Sequence, residues 1–240
     1  MLLLAAPFLL PPTPFSAVLS RLFLYDAAML FLGIDLGASA LKLIVIDAKG
    51  SPMAHIAAPI ATLSPAVGTS ATAEQDPNAW LITLETLLDN LFTNSAVKPE
   101  DITALSITAG THIAVLCDRD MQPLRNAIMW SDQRAASIMP KLLAAQDKIL
   151  AESLHAPNPT WTLAHLAWLT ENDPDAISKT HMILPAKDWL RYCLTGHIGT
   201  DLSDAIGLQL VNAHKEEWSA TLCDLSGVNA SQLPEIAQSK

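Results

Sequence analysis

The chain has 240 residues, room for one large domain or two small ones, and half of them are apolar, so composition permits a sizeable buried core. With 14 Lys+Arg against 24 Asp+Glu, the formal net charge of -10 argues against a nucleic-acid-binding surface and against docking on an anionic membrane. Three cysteines, Cys117, Cys193 and Cys223, form no CxxC pair and have no metal-ligand spacing, which reads as reduced thiols in a cytoplasmic protein.

Residues 1–28 stand apart. They hold one basic residue, Arg21, and one acid, Asp26, and Pro7, Pro11, Pro12 and Pro14 interrupt their apolar run. No early Lys or Arg marks a secretory signal, and the prolines break a membrane helix. The stretch is expected to be a non-native or disordered extension, with the domain starting at Met29 and running to Lys240.

Leu30 to Leu36 is an apolar run of the kind buried on both faces of a sheet, and Leu41 to Asp47 is a second. Lys49-Gly50 signals a turn into a third strand, Met53 to Ala58, so the three form an antiparallel meander. Thr62 to Gln75 is rich in Ser, Thr, Ala and Pro and reads as a loop. Asp76-Pro77 then opens a helix, Asp as N-cap and Pro in the first turn, with Trp80, Leu84, Leu87, Leu88 and Leu91 on its apolar face. Ile102 to Thr108 is a further buried strand, and Ile113 to Asp118 follows after AGTH. Helices are expected from Ser131 to about Ala145, over Thr160 to Thr170, over Ala186 to Leu194 with a stop at Thr195-Gly196, and over Trp218 to Leu225 capped by Gly227. Strands first, then strands mixed with helices, give an α/β core with a mixed sheet.

Chemistry concentrates in FLGIDLGASALKLIVID, Phe31 to Asp47. An acid at the end of a strand, Asp35, is followed by a glycine turn and the next strand. Gly37 permits positive φ and close approach of a ligand to the backbone, and N–H groups in such a turn can point at a phosphate. Ser39 offers a hydroxyl and Lys42 a positive charge. One carboxylate, that of Asp35, suits a hydrated Mg²⁺ held through water. The alternative is a hairpin whose Asp and Gly serve only the turn. The stretch lacks Gly-Lys-Ser/Thr, so it is not a P-loop.

FLGIDLGASALKLIVID resembles the first phosphate motif of the FGGY family of carbohydrate kinases, members of the ribonuclease H-like, actin-like ATPase superfamily. The likeness extends in order along the chain: EQDPNAW (Glu74 to Trp80), ITALSITAGTHIAVLCD (Ile102 to Asp118), NAIMWSDQRA (Asn126 to Ala135), NPTWTLAHLAWL, LPAKDWLRYCLTG and TDLSDAIG. Within the family the set is most similar to xylulokinases. The resemblance implies a ribonuclease H-like α/β domain with helices flanking a mixed sheet. It implies a transferase that binds ATP and Mg²⁺ and phosphorylates a hydroxyl of a sugar, such as the pentulose D-xylulose, with no nucleic acid and no membrane as partner.

On that resemblance Asp35, Gly37, Ser39 and Lys42 lie at Mg²⁺ and the phosphates of ATP. Ala38 stands where the family usually has Thr or Ser. Thr111 and His112 occupy the place of a sugar-contacting Met-His pair, His112 having a structural histidine as its rival reading; Thr111 and Ile113 depart from Gln-Met-His-Gly, which weakens the assignment of xylulose. Trp130, Asp132 and Arg134 form the Trp-x-Asp-x-Arg signature; Trp130 is expected to pack, and for Asp132 and Arg134 a structural role as helix N-cap and ion-pair donor stands at least level with direct contact to a ligand. Asp188, Asp201 and Asp204 are expected to be structural acids at turns and caps. The family's general base is an Asp of a Gly-Gly-Asp-type motif at the start of a second, ATP-binding domain, and neither that motif nor an adenosine motif occurs in residues 1–240. No catalytic residue is therefore assigned within the chain. The base is expected beyond Lys240, the chain alone is expected to be inactive, and the missing C-terminal kinase domain is its expected partner. A non-catalytic sugar-binding or regulatory domain, or a decayed gene product, is the alternative.

Overall fold

The computed structural model describes residues 29–65 and 71–237; the apolar extension expected at residues 1–28 lies outside them. Strand β1 (Leu30–Leu36) runs antiparallel to β2 (Ala40–Ile46), which pairs antiparallel with β3 (Pro52–Pro59). At the β2–β3 turn Gly50 takes φ 82°, and the Asp47 carboxylate accepts from the N–H groups of Lys49 and Ser51. Next come a two-residue strand β4 (Glu74–Gln75), helix α1 (Pro77–Asn94) and strand β5 (Ile102–Ala109). β5 lies parallel to β1 and completes a four-stranded mixed sheet in the order β3-β2-β1-β5.

The sheet is buried on one face only, which corrects the expectation for β1 and its neighbours. Leu30, Leu32, Ile34 and Leu36 of β1 and Leu41, Leu43 and Val45 of β2 point inward, while Lys42 and Ile44 are exposed between them. That is the period-2 alternation of a half-covered sheet. β5 departs further: as the edge strand it leaves Thr103 to Ser106 exposed, so its apolar run does not signify burial. On the uncovered face a trough of about 510 Å³ runs past Gly33, Asp35, Lys42, Ile44, His55 and Ser106. Helix α1 covers the other face. Asp76 caps it by accepting from the Asn78 N–H, and Trp80, Leu84, Leu87 and Leu91 are buried beneath it, as the spacing predicts.

The second half begins with β6 (Ala114–Cys117) and β7 (Ala127–Ile128), the latter pairing with β4 inside the segment read as a loop. The helix expected from Ser131 to Ala145 is instead broken: a 3₁₀ turn over Arg134–Ile138, then α2 (Met139–Ala144), with α3 (Gln146–Ser153) beyond. Pro140 has no N–H to donate and sits in the first turn of α2, where the loss costs least. Then follow α4 (Thr162–Asn172), α5 (Pro174–Lys179), β8 (Met182–Pro185), α6 (Ala186–Thr195), β9 (Thr200–Asp201), α7 (Leu202–Gly207), β10 (Val211–Asn212), β11 (Glu217–Trp218), α8 (Ala220–Ser226) and β12 (Ile236–Ala237). Gly196 and Gly227 end α6 and α8 in the left-handed region, at φ 69° and 77°.

Two apolar cores result, and the antiparallel β6–β8 ribbon stands between them. Val115, Cys117 and Leu184 face the core of the four-stranded sheet, α1 and α6; Ala114, Leu116 and Ile183 face the core of α2 to α5 and α8. Burial pushes the Cys117 thiol up to about 12, so it is an inert apolar filler.

Candidate functional site

The parallel pair β1 and β5 ends level, Leu36 opposite Ala109, and the Gly110 N–H donates to the Leu36 carbonyl at 3.1 Å. Two loops therefore leave the sheet side by side at the carboxyl ends of its strands, where ligands of open α/β sheets bind.

The first loop is the β1–β2 turn. Asp35 and Lys42 face each other in register, with Lys42 Nζ 3.3 Å from Asp35 Oδ2 and both side chains open to solvent. Gly37 is not at positive φ, which corrects the expectation for it: its N–H donates to the Ala40 carbonyl at 3.0 Å, and a Cβ there would come within 3.1 Å of that oxygen. A side chain there would have to push the Ala40 carbonyl back by a few tenths of an ångström. Ala38 and Ser39, at the tip, have N–H groups with no hydrogen-bond partner among the described residues. The turn is held from behind by Gln75, fully buried. Its Nε2 donates to the Ala38 carbonyl at 2.7 Å and to Thr62 Oγ1 at 2.9 Å, while its Oε1 accepts from the Trp80 indole at 2.9 Å. Gln75 sits in EQDPNAW, and nothing short of the fold connects that motif to the turn.

The second loop carries Thr111 and His112 directly beyond β5. His112 adopts φ 61°, which turns its ring back toward α7, where Nδ1 meets the Gly207 carbonyl. The Trp161 ring stacks on the imidazole, 4.0 Å between centroids and 20° between planes. Burial lowers the His112 pKa, against the raising effect of the Gly207 carbonyl, so the ring is neutral at pH 7. Trp130 is about half exposed, with its ring 3.8 Å from where a Gly110 Cβ would lie. Trp130, expected to pack, thus does so only in part at the edge of the same loop.

The other signature residues are buried elsewhere. Arg134 reaches Asp132 through two parallel hydrogen bonds, Nε–Oδ1 2.9 Å and Nη2–Oδ2 2.8 Å, and Glu74 through Nη1 at 2.7 Å. Glu74 also takes Arg125 at 2.7 Å, and Arg125 reaches Asp173 at 2.9 Å. Burial pushes the Asp132 carboxyl up, but the Arg134 guanidinium and the N–H groups of Ala73 and Arg134 outweigh it and hold the carboxyl below its ordinary value. The network ties β4 and β7 to the helical half. Asp188, expected at an exposed turn, is fully buried instead, at 2.7 Å from Thr200 Oγ1. Lys187 links it to Asp201 and Asp204 at 2.8, 2.9 and 3.1 Å, and Asp201 caps α7. Burial opposes the Lys187 charge, yet the Asp188 and Asp201 carboxylates keep its pKa above that of an ordinary lysine.

Two loops leaving one end of a half-covered mixed sheet, one with a solvated acid–lysine pair and the other with a stacked His, fit an α/β domain of the ribonuclease H-like kind. The same arrangement of elements recurs in the xyloylose kinase from Brucella ovis, with TM-score 0.80 and 28% identity over 87% of this chain and 42% of that one. The gluconate kinase from Lactobacillus acidophilus matches with TM-score 0.80 and 25% identity, over 88% and 42%. In sequence, the xylulose kinases of Bacillus subtilis (strain 168) and Lactococcus lactis subsp. lactis (strain IL1403) are each 32% identical to this chain, across 87% of it and 41% of their own length. The family model for the FGGY family of carbohydrate kinases, N-terminal domain, matches residues 30–240. The chain belongs to the FGGY family of carbohydrate kinases. It spans about two fifths of the length of the curated relatives it matches. Among the described residues no helix is long and apolar enough to cross a membrane.

Proposed function

We propose that residues 29–240 form the sugar-binding domain of an ATP-dependent kinase that phosphorylates a pentulose such as D-xylulose. The observation that supports this reading best is the meeting of two loops at one end of the sheet: a turn with N–H groups unpartnered among the described residues and a solvated carboxylate, and a neutral histidine stacked on Trp161. Relatives at 32% identity are named xylulose kinases, which favours a pentulose over the gluconate named for one structural neighbour.

The residues fit MgATP in one specific way. No cluster of three His, Cys, Asp or Glu exists among the described residues, so no all-protein metal cage is built. Asp35 supplies the single exposed carboxylate that a hydrated Mg²⁺ accepts. The Ala38 and Ser39 N–H groups, the Ser39 hydroxyl and Lys42 would face the phosphates. MgATP, when bound, supplies the phosphoryl group. The chain's own work is orientation: Thr111 and His112 hold sugar hydroxyls, Trp130 covers an apolar edge of the sugar, and Gln75 keeps the phosphate turn rigid. Positioning of this kind carries most of phosphoryl transfer, and the proton-accepting Asp belongs to a second domain of the complete enzyme.

Calorimetric titration with D-xylulose and a coupled assay for sugar phosphate test this together. The 240-residue chain is expected to bind the sugar and to give no ATP-dependent turnover, while a chain joined to a second domain of the family turns over. Steady sugar-phosphate formation by the 240-residue chain overturns the division of labour. Binding of an aldonate but of no pentulose overturns the substrate class.

A further inference from the structure

The nearer of the two groups that meet His112 Nδ1 is a backbone carbonyl oxygen, that of Gly207; the Thr111 hydroxyl lies farther off at 3.5 Å. A carbonyl has no proton to give, so in the neutral ring Nδ1 must carry the hydrogen. Nε2 then keeps its lone pair, and it has no partner among the described residues. The ring cannot turn over to exchange its nitrogens freely, because Trp161 lies against its face at 4.0 Å and His155 backs the indole at 4.9 Å. Gly207 leaves room for the neighbouring Thr111: a Cβ would stand 2.6 Å from Thr111 Oγ1 and push that side chain aside. The last turn of α7, in the TDLSDAIG stretch, and the entry to α4 thus converge on one imidazole.

We infer that Gly207 and Trp161 are positioning residues that hold His112 as the Nδ1–H tautomer, so that its Nε2 accepts a hydrogen bond from a sugar hydroxyl. The site then selects for a donor at that position. A ketone or carboxylate oxygen placed there would meet a lone pair and be disfavoured. This rests on the reading of Thr111 and His112 as the sugar site, but the tautomer can be measured without any sugar.

The measurement is long-range ¹⁵N–¹H correlation of the histidine rings in the full 240-residue chain near pH 7.5, with His112 identified by the loss of its pattern in H112Q. The Nδ1–H pattern is expected in the parent and in W161F. In W161A the two tautomers should mix, and D-xylulose affinity should fall in proportion to the rings that leave the Nδ1–H form, about twofold for an even mixture. Amide spectra that overlay the parent's identify variants that keep the fold, and W161F keeps the test open if W161A does not. A parent in the Nε2–H form, or a mixture of the two, overturns the inference. If the Nδ1–H form is found, D-xylulose that binds should shift Nε2. Binding without that shift overturns the hydroxyl acceptor. An Nδ1–H ring with no pentulose binding at all leaves the positioning intact and overturns the sugar-site reading instead.

Discussion

Replacing Arg134 with Met tests the buried ion network most directly. The variant keeps the volume and removes the charge. Asp132, fully buried, loses the bonds at 2.9 and 2.8 Å but keeps the Ala73 N–H at 2.7 Å and the N–H of residue 134. Glu74 keeps Arg125 at 2.7 Å, so only one carboxylate is stranded. Stranding a buried charge costs about 3–5 kcal/mol, and the two retained N–H donors place R134M near about 3 kcal/mol. With a urea m-value of about 2 kcal/mol/M, the unfolding midpoint should fall by about 1.5 M at pH 7. The pH dependence carries the sign. In the parent the Asp132 pKa is lowered, so its stabilisation is present above the ordinary carboxylate value of 3.8 and is lost as pH falls through the folded-state value. In R134M only the two retained N–H donors oppose burial, the largest influence on this carboxyl, so its pKa lies above the parent's, protonation relieves the folded state, and the deficit against the parent should shrink as pH falls from about 7 toward 4. A variant within about 1 kcal/mol of the parent at pH 7, or a deficit that stays constant with pH, would refute the reasoning.

The exposed Lys42–Asp35 pair supplies the contrast: Lys42→Met should change stability by less than about 1 kcal/mol in the same urea titration, since solvent screens the pair. Gln75→Leu should cost about 2–3 kcal/mol by stranding the Trp80 indole and the Ala38 carbonyl, with faster amide exchange across Leu36–Leu41; unchanged exchange there means the turn does not lean on Gln75. Gly227→Ala should lose at least about 2 kcal/mol in thermal unfolding, from its φ of 77° and a clash with Thr170, whose hydroxyl bonds the Leu166 and Ser226 carbonyls. Adding Thr170→Ala should recover the steric part, and strict additivity of the two losses would rule the clash out.

The meander and α1 were legible because each depends on near neighbours: short apolar runs, an Asp-Pro start, a Lys-Gly turn; the one-sided burial of the strands was not. Helix ends at Gly196 and Gly227 were readable for the same reason. The broken helix after Ser131 was not, since a proline in a first turn leaves the pattern of apolar residues intact. β4 and β7 are two residues long and exist through their mutual pairing and the Glu74 network, which no local window contains. At the site, motif order indicated Asp35, Thr111 and His112. Trp161 and Gly207 reach His112 across 49 and 95 positions, Gln75 reaches Ala38 in the Asp35 turn across 37, and only the fold brings them together. Trp161 had one available signal, an aromatic immediately ahead of an apolar helix in NPTWTLAHLAWL.

The β6–β8 ribbon has a consequence for how the domain comes apart. Four residue pairs carry alternate side chains into different cores, so the ribbon belongs to both and can be released by neither alone. If the helical half loosens, Ala114, Leu116 and Ile183 are wetted while Val115, Cys117 and Leu184 still grip the sheet. The ribbon is thus the domain's crack-stopper and its fault line at once: small openings end there, and any opening large enough to cross it takes both cores with it.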